Sequence, residues 1–211
     1  MTISCFSAID LSRAKACALH ALALLAVILV SLPASGADVP RWVLKAGMGW
    51  GHVAFDQRLD YAGMEKISDD NGKFAFNMNA RLSASIKQLP QTFASVNCSA
   101  SWFSIQNATG SEVTILSGLI SGGLEYRFFR KPLSPYVFFG IGEEVWGAPF
   151  EGDSDIWSGL GYIASVGYEF RPHWGIEGSV RWGNTDREAG YIKAETDVFI
   201  VHFTINYLLY R

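Results

Sequence analysis

The sequence predicts an all-β chain: an eight-stranded antiparallel up-and-down transmembrane β-barrel. Three observations predict it. Apolar and polar residues alternate over most of the chain beyond residue 40. The segments that alternate are joined by connections that are by turns long and short. Only 18% of the 211 residues are charged, while 14% are aromatic and 21 are glycine, a composition for a surface not wholly turned to water.

Lys73 to Lys87 shows the alternation most clearly. Its even positions are Phe74, Phe76, Met78, Ala80, Leu82, Ala84 and Ile86, and its odd positions are mostly Lys, Asn, Arg and Ser. Successive strand side chains point to opposite faces, so this segment has one apolar and one polar face. Seven further segments follow the rule, at roughly 42–54, 93–106, 113–129, 136–147, 156–170, 174–183 and 196–210. In the last, Phe199, Val201, Phe203, Ile205, Tyr207 and Leu209 oppose His202, Thr204 and Asn206. Glu143 breaks the pattern, falling on the face of Val137, Phe139 and Ile141.

The connections read as a long polar stretch at 55–72, a short one at 88–92, and a modest one at 107–112. A tight proline-bearing turn follows at 130–135, then an acidic loop at 148–155, a tight turn at Arg171-Pro172-His173, and a long charged loop at 184–195. Short turns on the periplasmic side and longer loops outside are the habit of outer-membrane barrels, and an even strand count places both termini in the periplasm.

Alternation by itself does not say which face is outside, because a soluble lipocalin-like barrel also has eight strands. The polar face decides for the membrane: it is mostly Ser, Asn, Gly and Thr rather than Lys and Glu, as suits a narrow lumen filled by side chains. In hydrocarbon a closed barrel also satisfies every backbone group. Trp42, Tyr126, Phe128, Tyr136, Trp146, Trp174, Trp182, Tyr207 and Tyr210 lie near strand ends and are candidates for interfacial girdles. The glycines, Gly47, Gly49, Gly51, Gly118, Gly122, Gly159 and Gly161 among them, are read as permitting curvature and close packing.

Residues 1–37 read as a secretory signal peptide and 38–211 as the barrel domain. Arg13 and Lys15 precede an apolar run from Cys17 to Leu32, Pro33 ends it, and Ala34, Ser35, Gly36 and Ala37 supply cleavage sites after Gly36 or after Ala37. A retained anchor is the competing reading, since the run is near the lower length limit for a spanning helix. Taking Arg13, Lys15 and Asp10 from the 17 basic and 20 acidic residues leaves a mature net charge of −4, which is no footprint for nucleic acid. Cys98 then stands alone, with no internal disulfide and no cysteine-based metal site. The histidines lack metal-ligand spacing, and no cofactor is expected.

Gly123-Leu124-Glu125-Tyr126-Arg127-Phe128, Pro135-Tyr136-Val137 and Gly140-Ile141-Gly142 resemble the transmembrane domain of the OmpA-like outer-membrane proteins. So do Gly167-Tyr168-Glu169-Phe170 and Arg171-Pro172-His173-Trp174-Gly175. The resemblance covers about the middle third of the chain. It implies a Gram-negative outer-membrane location, contact with outer-membrane lipid and lipopolysaccharide, and delivery by the barrel-insertion machinery. Members of that family end in an aromatic residue, whereas here Tyr210 is followed by Arg211. No periplasmic peptidoglycan-binding domain is expected after the eighth strand.

Projected inward, Lys45, Arg81, Lys87, Glu125, Arg127, Glu169, Glu177 and Arg181 bring both signs of charge into one lumen. Buried charges must pair, so a structural ion-pair network of Arg81, Glu125, Arg127, Glu177 and Arg181 is the favoured reading, ahead of a gated solute path. A lipid A deacylase, also a small outer-membrane barrel, is the enzyme alternative, and Gly140-Ile141-Gly142 after Pro135-Tyr136 suits it too. That chemistry needs a Ser activated by a His two residues away. The corresponding stretch here is Arg181-Trp182-Gly183, and His202-Phe203-Thr204 is the nearest echo. The expectation is a non-enzymatic protein whose structural or surface-interaction role lies in 55–72, 148–155 and 184–195, with the partner of those segments unknown.

Overall fold

The computed structural model describes residues 41–61, 64–106, 112–129, 133–148, 156–189 and 192–210. The segment read as a signal peptide lies outside them, as does most of 148–155. Eight strands, β1 Trp42–Tyr61, β2 Met64–Ile86, β3 Leu89–Gln106, β4 Glu112–Arg127, β5 Pro135–Gly147, β6 Ile156–Arg171, β7 Trp174–Ala189 and β8 Ile192–Tyr210, account for nearly all of this. Each pairs antiparallel with its neighbours in chain order, and β1 pairs with β8 from Val43↔Tyr210 to Tyr61↔Ile192, closing the barrel.

The apolar faces point outward. Met48 is 59% exposed, Phe74 66% and Phe203 62%, while Arg81 and Glu125 inside are 1% and 0%. A lipocalin-like barrel would have the reverse, with apolar side chains lining the cavity. Outward apolar belts of this extent are tolerated in lipid and shunned in water. Glycines on β1 let the wall close tightly: a Cβ on Gly49 would fall 1.8 Å from the Phe203 carbonyl oxygen of β8. Two of the expected girdle aromatics turn inward instead. Tyr136 and Trp146 are 0% and 3% exposed, because both share strand parity with the lumen residues Phe138 and Glu144.

The strands are also longer than the segments read from the sequence. About 9–11 residues suffice to cross a bilayer, yet β1 has 20 and β2 has 23. Stretches 55–72 and 184–195 are therefore mainly strand, not loop, and β1–β2 pairing continues to Tyr61↔Met64. His52 accordingly sits well below the end of its strand.

The physical reason is an inversion of polarity along the strands, clearest on β1, β4 and β8. On β1 the outward residues Leu44, Met48 and Trp50 are apolar and exposed, then Val53 and Phe55 turn inward while Arg58 and Asp60 face out. On β8 the outward face runs from Lys193, Glu195 and Asp197 to Val201, Phe203 and Ile205, while the inward face runs from Ala194, Val198 and Ile200 to His202, Thr204 and Asn206. Above the switch the strands form a water-side crown with a conventional apolar interior. That interior contains Val53, Phe55, Ala75, Phe103, Val113, Ile115, Trp146, Val198 and Ile200. Phe55, Phe103 and Trp146 pack with ring centroids 5.2 to 6.2 Å apart. Glu143 is exposed and faces outward on β5, between the exposed apolar residues Ile120 of β4 and Leu160 of β6.

Candidate functional site: the closed lumen

The lumen is built in layers. At the end that carries the short turns after β2 and β6, Val43, Phe93 and Leu208 pack together. Next comes a charged layer of three cations and three anions. Arg81 holds Glu177 with two hydrogen bonds, Nη2 to Oε1 at 2.7 Å and Nη1 to Oε2 at 3.1 Å, and its Nη1 lies 3.4 Å from Glu125 Oε2. Lys45 Nζ is 2.5 Å from Glu125 Oε2 and 3.6 Å from Glu177 Oε2. Arg127 donates from Nε to Glu125 Oε1 at 3.1 Å and lies 3.5 Å from Glu169 Oε2. All six are at most 1% exposed. With opposite charges equal in number and in contact, the layer is internally neutral, the condition on which buried ions persist.

Aromatic faces complete the cage. The Arg81 guanidinium lies 3.7 Å from the Phe138 ring centroid and the Lys45 ammonium 3.5 Å from that of Tyr136, distances suited to cation–π attraction. Tyr136 has room only because residue 167 is glycine: a Cβ there would stand 2.2 Å from Tyr136 Cζ.

Above an apolar patch of Leu119, Phe138 and Ile163, a second ion pair crosses the lumen. Arg181 Nε is 3.4 Å from Glu144 Oε2, and its two Nη atoms donate to Ser99 Oγ at 3.1 Å and to the Ser117 carbonyl at 3.0 Å. Ser117 Oγ donates to Glu144 Oε1 at 2.7 Å. The Glu144 side chain lies over Gly161 and Gly183, where a Cβ would come within 2.9 Å of it. The aromatic crown closes the lumen above.

Of the five residues expected to form one network, Arg81, Glu125, Arg127 and Glu177 are brought together. Arg181 is not; it belongs to the upper pair with Glu144. Lys45 and Glu169 join the lower layer, as their inward projection suggested, but Lys87 does not, being exposed in the turn after β2. Glu144 was missed. The signal was its neighbour: with two consecutive acids on one strand, Glu143 and Glu144, one must face inward. His202 and Thr204 are buried in the lumen at 1% and 3% exposure, so this pair does not stand at the lipid-facing rim. Among the described residues no group of His, Cys, Asp or Glu is arranged to hold a metal ion. Cys98 is free and exposed on the outer wall.

An outward apolar belt, an inward charged and polar lumen, and full closure define a transmembrane β-barrel. No protein-family model matches the chain, and no curated protein matches it. Among solved structures it is similar to the outer membrane protein OprG from Pseudomonas aeruginosa, with 11% identity, 85% of this chain and 100% of that one covered, and a TM-score of 0.50. Neisserial surface protein A follows at 12% identity, 81% and 99% coverage and a TM-score of 0.44. Ail of Yersinia pestis has 14% identity, 78% and 99% coverage and a TM-score of 0.39. The likeness to OprG extends to the fold and no further.

Proposed function

We propose that this chain is a non-enzymatic, non-conducting integral protein of the bacterial outer membrane that works as a surface-interaction module. The crown carries this reading. Its strands hold an apolar core of their own and display charged residues outward, so it is a rigid water-side structure rather than a set of loose loops. From Val53 to Tyr61 it rises roughly 20 Å along the barrel axis, the strands being tilted. The neutral charged layers and the apolar packing at both ends of the lumen support a closed barrel in preference to a solute channel. The signal at 1–37 and the OmpA-like segments at 123–142 and 167–175 support export, insertion by the barrel machinery and residence among lipopolysaccharide, with both mature termini periplasmic.

The test combines two measurements. The membrane-extracted protein should shift in SDS gel mobility on boiling, and a soluble protein with no shift would sink the membrane reading. On intact cells, in a Cys98→Ser background, Asp186→Cys should react with a membrane-impermeant maleimide and Gln88→Cys only after permeabilisation. The opposite labelling would overturn the orientation of the crown.

A further inference from the structure

Among the described residues, the strands rise higher on one side of the crown than on the other. β1 and β2 pair up to Tyr61↔Met64, β7 and β8 up to Ala189↔Ile192, and β1 and β8 up to Tyr61↔Ile192, so β2-β1-β8-β7 form one continuous high wall. The β2–β3 ladder stops far lower, at Phe76↔Trp102, although β3 itself continues to Gln106 paired with β4. At this height the β1–β2 register shifts between Val53 and Ala54, and Gly72 takes φ +88°, so β2 turns away from β3. Among the described residues, no strand pairs with the outer edge of β2 over Met64–Asn71.

We propose that this edge is an acceptor for an extended segment of a protein partner, added to the crown as one further strand. The proposal rests on the surface role assigned to the crown above. A strand edge presents N–H and C=O groups at regular spacing, which only another extended polypeptide matches along its length. The wall also sets the partner's pattern. At the level of Met64–Asn71 its inner face carries Phe55, Gln57, Ala194, Thr196 and Val198, and its outer face carries Arg58, Asp60 and Asp197. A strand continuing both faces alternates apolar or uncharged residues inward with charged residues outward.

A second copy of the chain does not fit. A two-fold axis along the membrane normal leaves both β2 strands descending in the same sense, so they cannot pair antiparallel. The edge sequence also carries Glu65, Lys66, Asp69 and Asp70, and charges on an edge discourage indiscriminate pairing.

The test uses the full mature barrel in detergent micelles and a fluorescein-labelled ten-residue peptide alternating valine with lysine or glutamate. Fluorescence anisotropy should show saturable binding. Neighbouring residues turn their N–H groups to opposite sides, so one of Ser68→Pro and Asp69→Pro removes a donor from the free edge and leaves the β1 ladder intact. The proline variant that keeps its heat-dependent gel shift should bind the peptide at least tenfold more weakly. In the unmodified barrel, peptide should slow amide deuterium exchange at alternate positions of Met64–Asn71 and not on β4–β6. Absence of saturable binding, equal binding by the folded proline variant, or protection located elsewhere would overturn the proposal. So would a dimer of the chain that competes with the peptide. The gel shift and the cell-surface labelling do not depend on the peptide, so either conclusion can fail alone.

Discussion

The membrane barrel and the crown are made from the same strands and obey opposite rules. In the barrel, lipid solvates the outer wall and the polar residues retreat inside, where each charge must find a partner. In the crown, water solvates the outer wall and apolar residues pack within. A strand crossing from one to the other keeps its two-residue period and exchanges the meaning of its faces. The environment, not the strand, decides which set is the core.

The largest expected effect tests the barrel side. Arg81→Ala removes the cation shared by Glu125 and Glu177 and leaves Glu177 to Lys45, 3.6 Å away, while Glu125 keeps Lys45 and Arg127. Breaking a buried pair in this way costs about 3–5 kcal/mol, to be read as a marked fall in the temperature at which the gel-shifted band disappears. A fall no larger than that of an exposed control such as Lys87→Ala would show that the charged layer is not a structural network.

Next comes the outer wall, where the two regions should diverge. Met48→Arg places a charge against the hydrocarbon and should destabilise by about 2–4 kcal/mol near the midplane. Arg58→Leu, the opposite change on the same face of β1 in the crown, should stay within about 0.5 kcal/mol. Urea unfolding in lipid vesicles measures both, and equal effects would break the comparison.

A smaller effect is expected at Gly167, whose bare backbone admits the Tyr136 ring. Gly167→Ala overpacks that contact, at about 1–3 kcal/mol, and the companion change Tyr136→Leu should recover part of the loss in a double-mutant cycle. Additive losses would separate the two sites.

The smallest lies on the crown surface. The Lys193 ammonium, 2.9 Å from Glu195 Oε1, hydrogen-bonds that carboxylate and holds it below its ordinary range. A depressed carboxyl contributes stability above its unfolded pKa and loses it as pH falls through the folded one. This pair is exposed to solvent, so Lys193→Ala should raise the Glu195 titration seen by carbon NMR while leaving thermal unfolding at neutral pH unchanged.

Much of this was legible in the residues. The two-residue period of Lys73 to Lys87 is local and separates one face from the other without reference to the rest of the chain. The small polar residues of the inner face, together with few charges overall, pointed to lipid outside. The crown was not legible, because the inverted stretches at 55–72 and 184–195 are rich in charged residues and read as loops. Only their neighbours show that Phe55 and Val198 face a common core. The girdle aromatics failed at Tyr136 and Trp146 for a related reason: nearness to a strand end does not decide which way a side chain faces.

The sequence by itself determined the strand count, the closed antiparallel class and the presence of both signs of charge in the lumen, since all three follow from periodicity and turn spacing along the chain. The partners were settled by the tertiary structure alone. Arg81 meets Glu177 across 96 residues of chain, and Arg181 leaves the lower layer for Glu144. Closing the barrel staggers eight strands against one another, and that stagger sets the height of every inward side chain and so which opposite charge comes within reach.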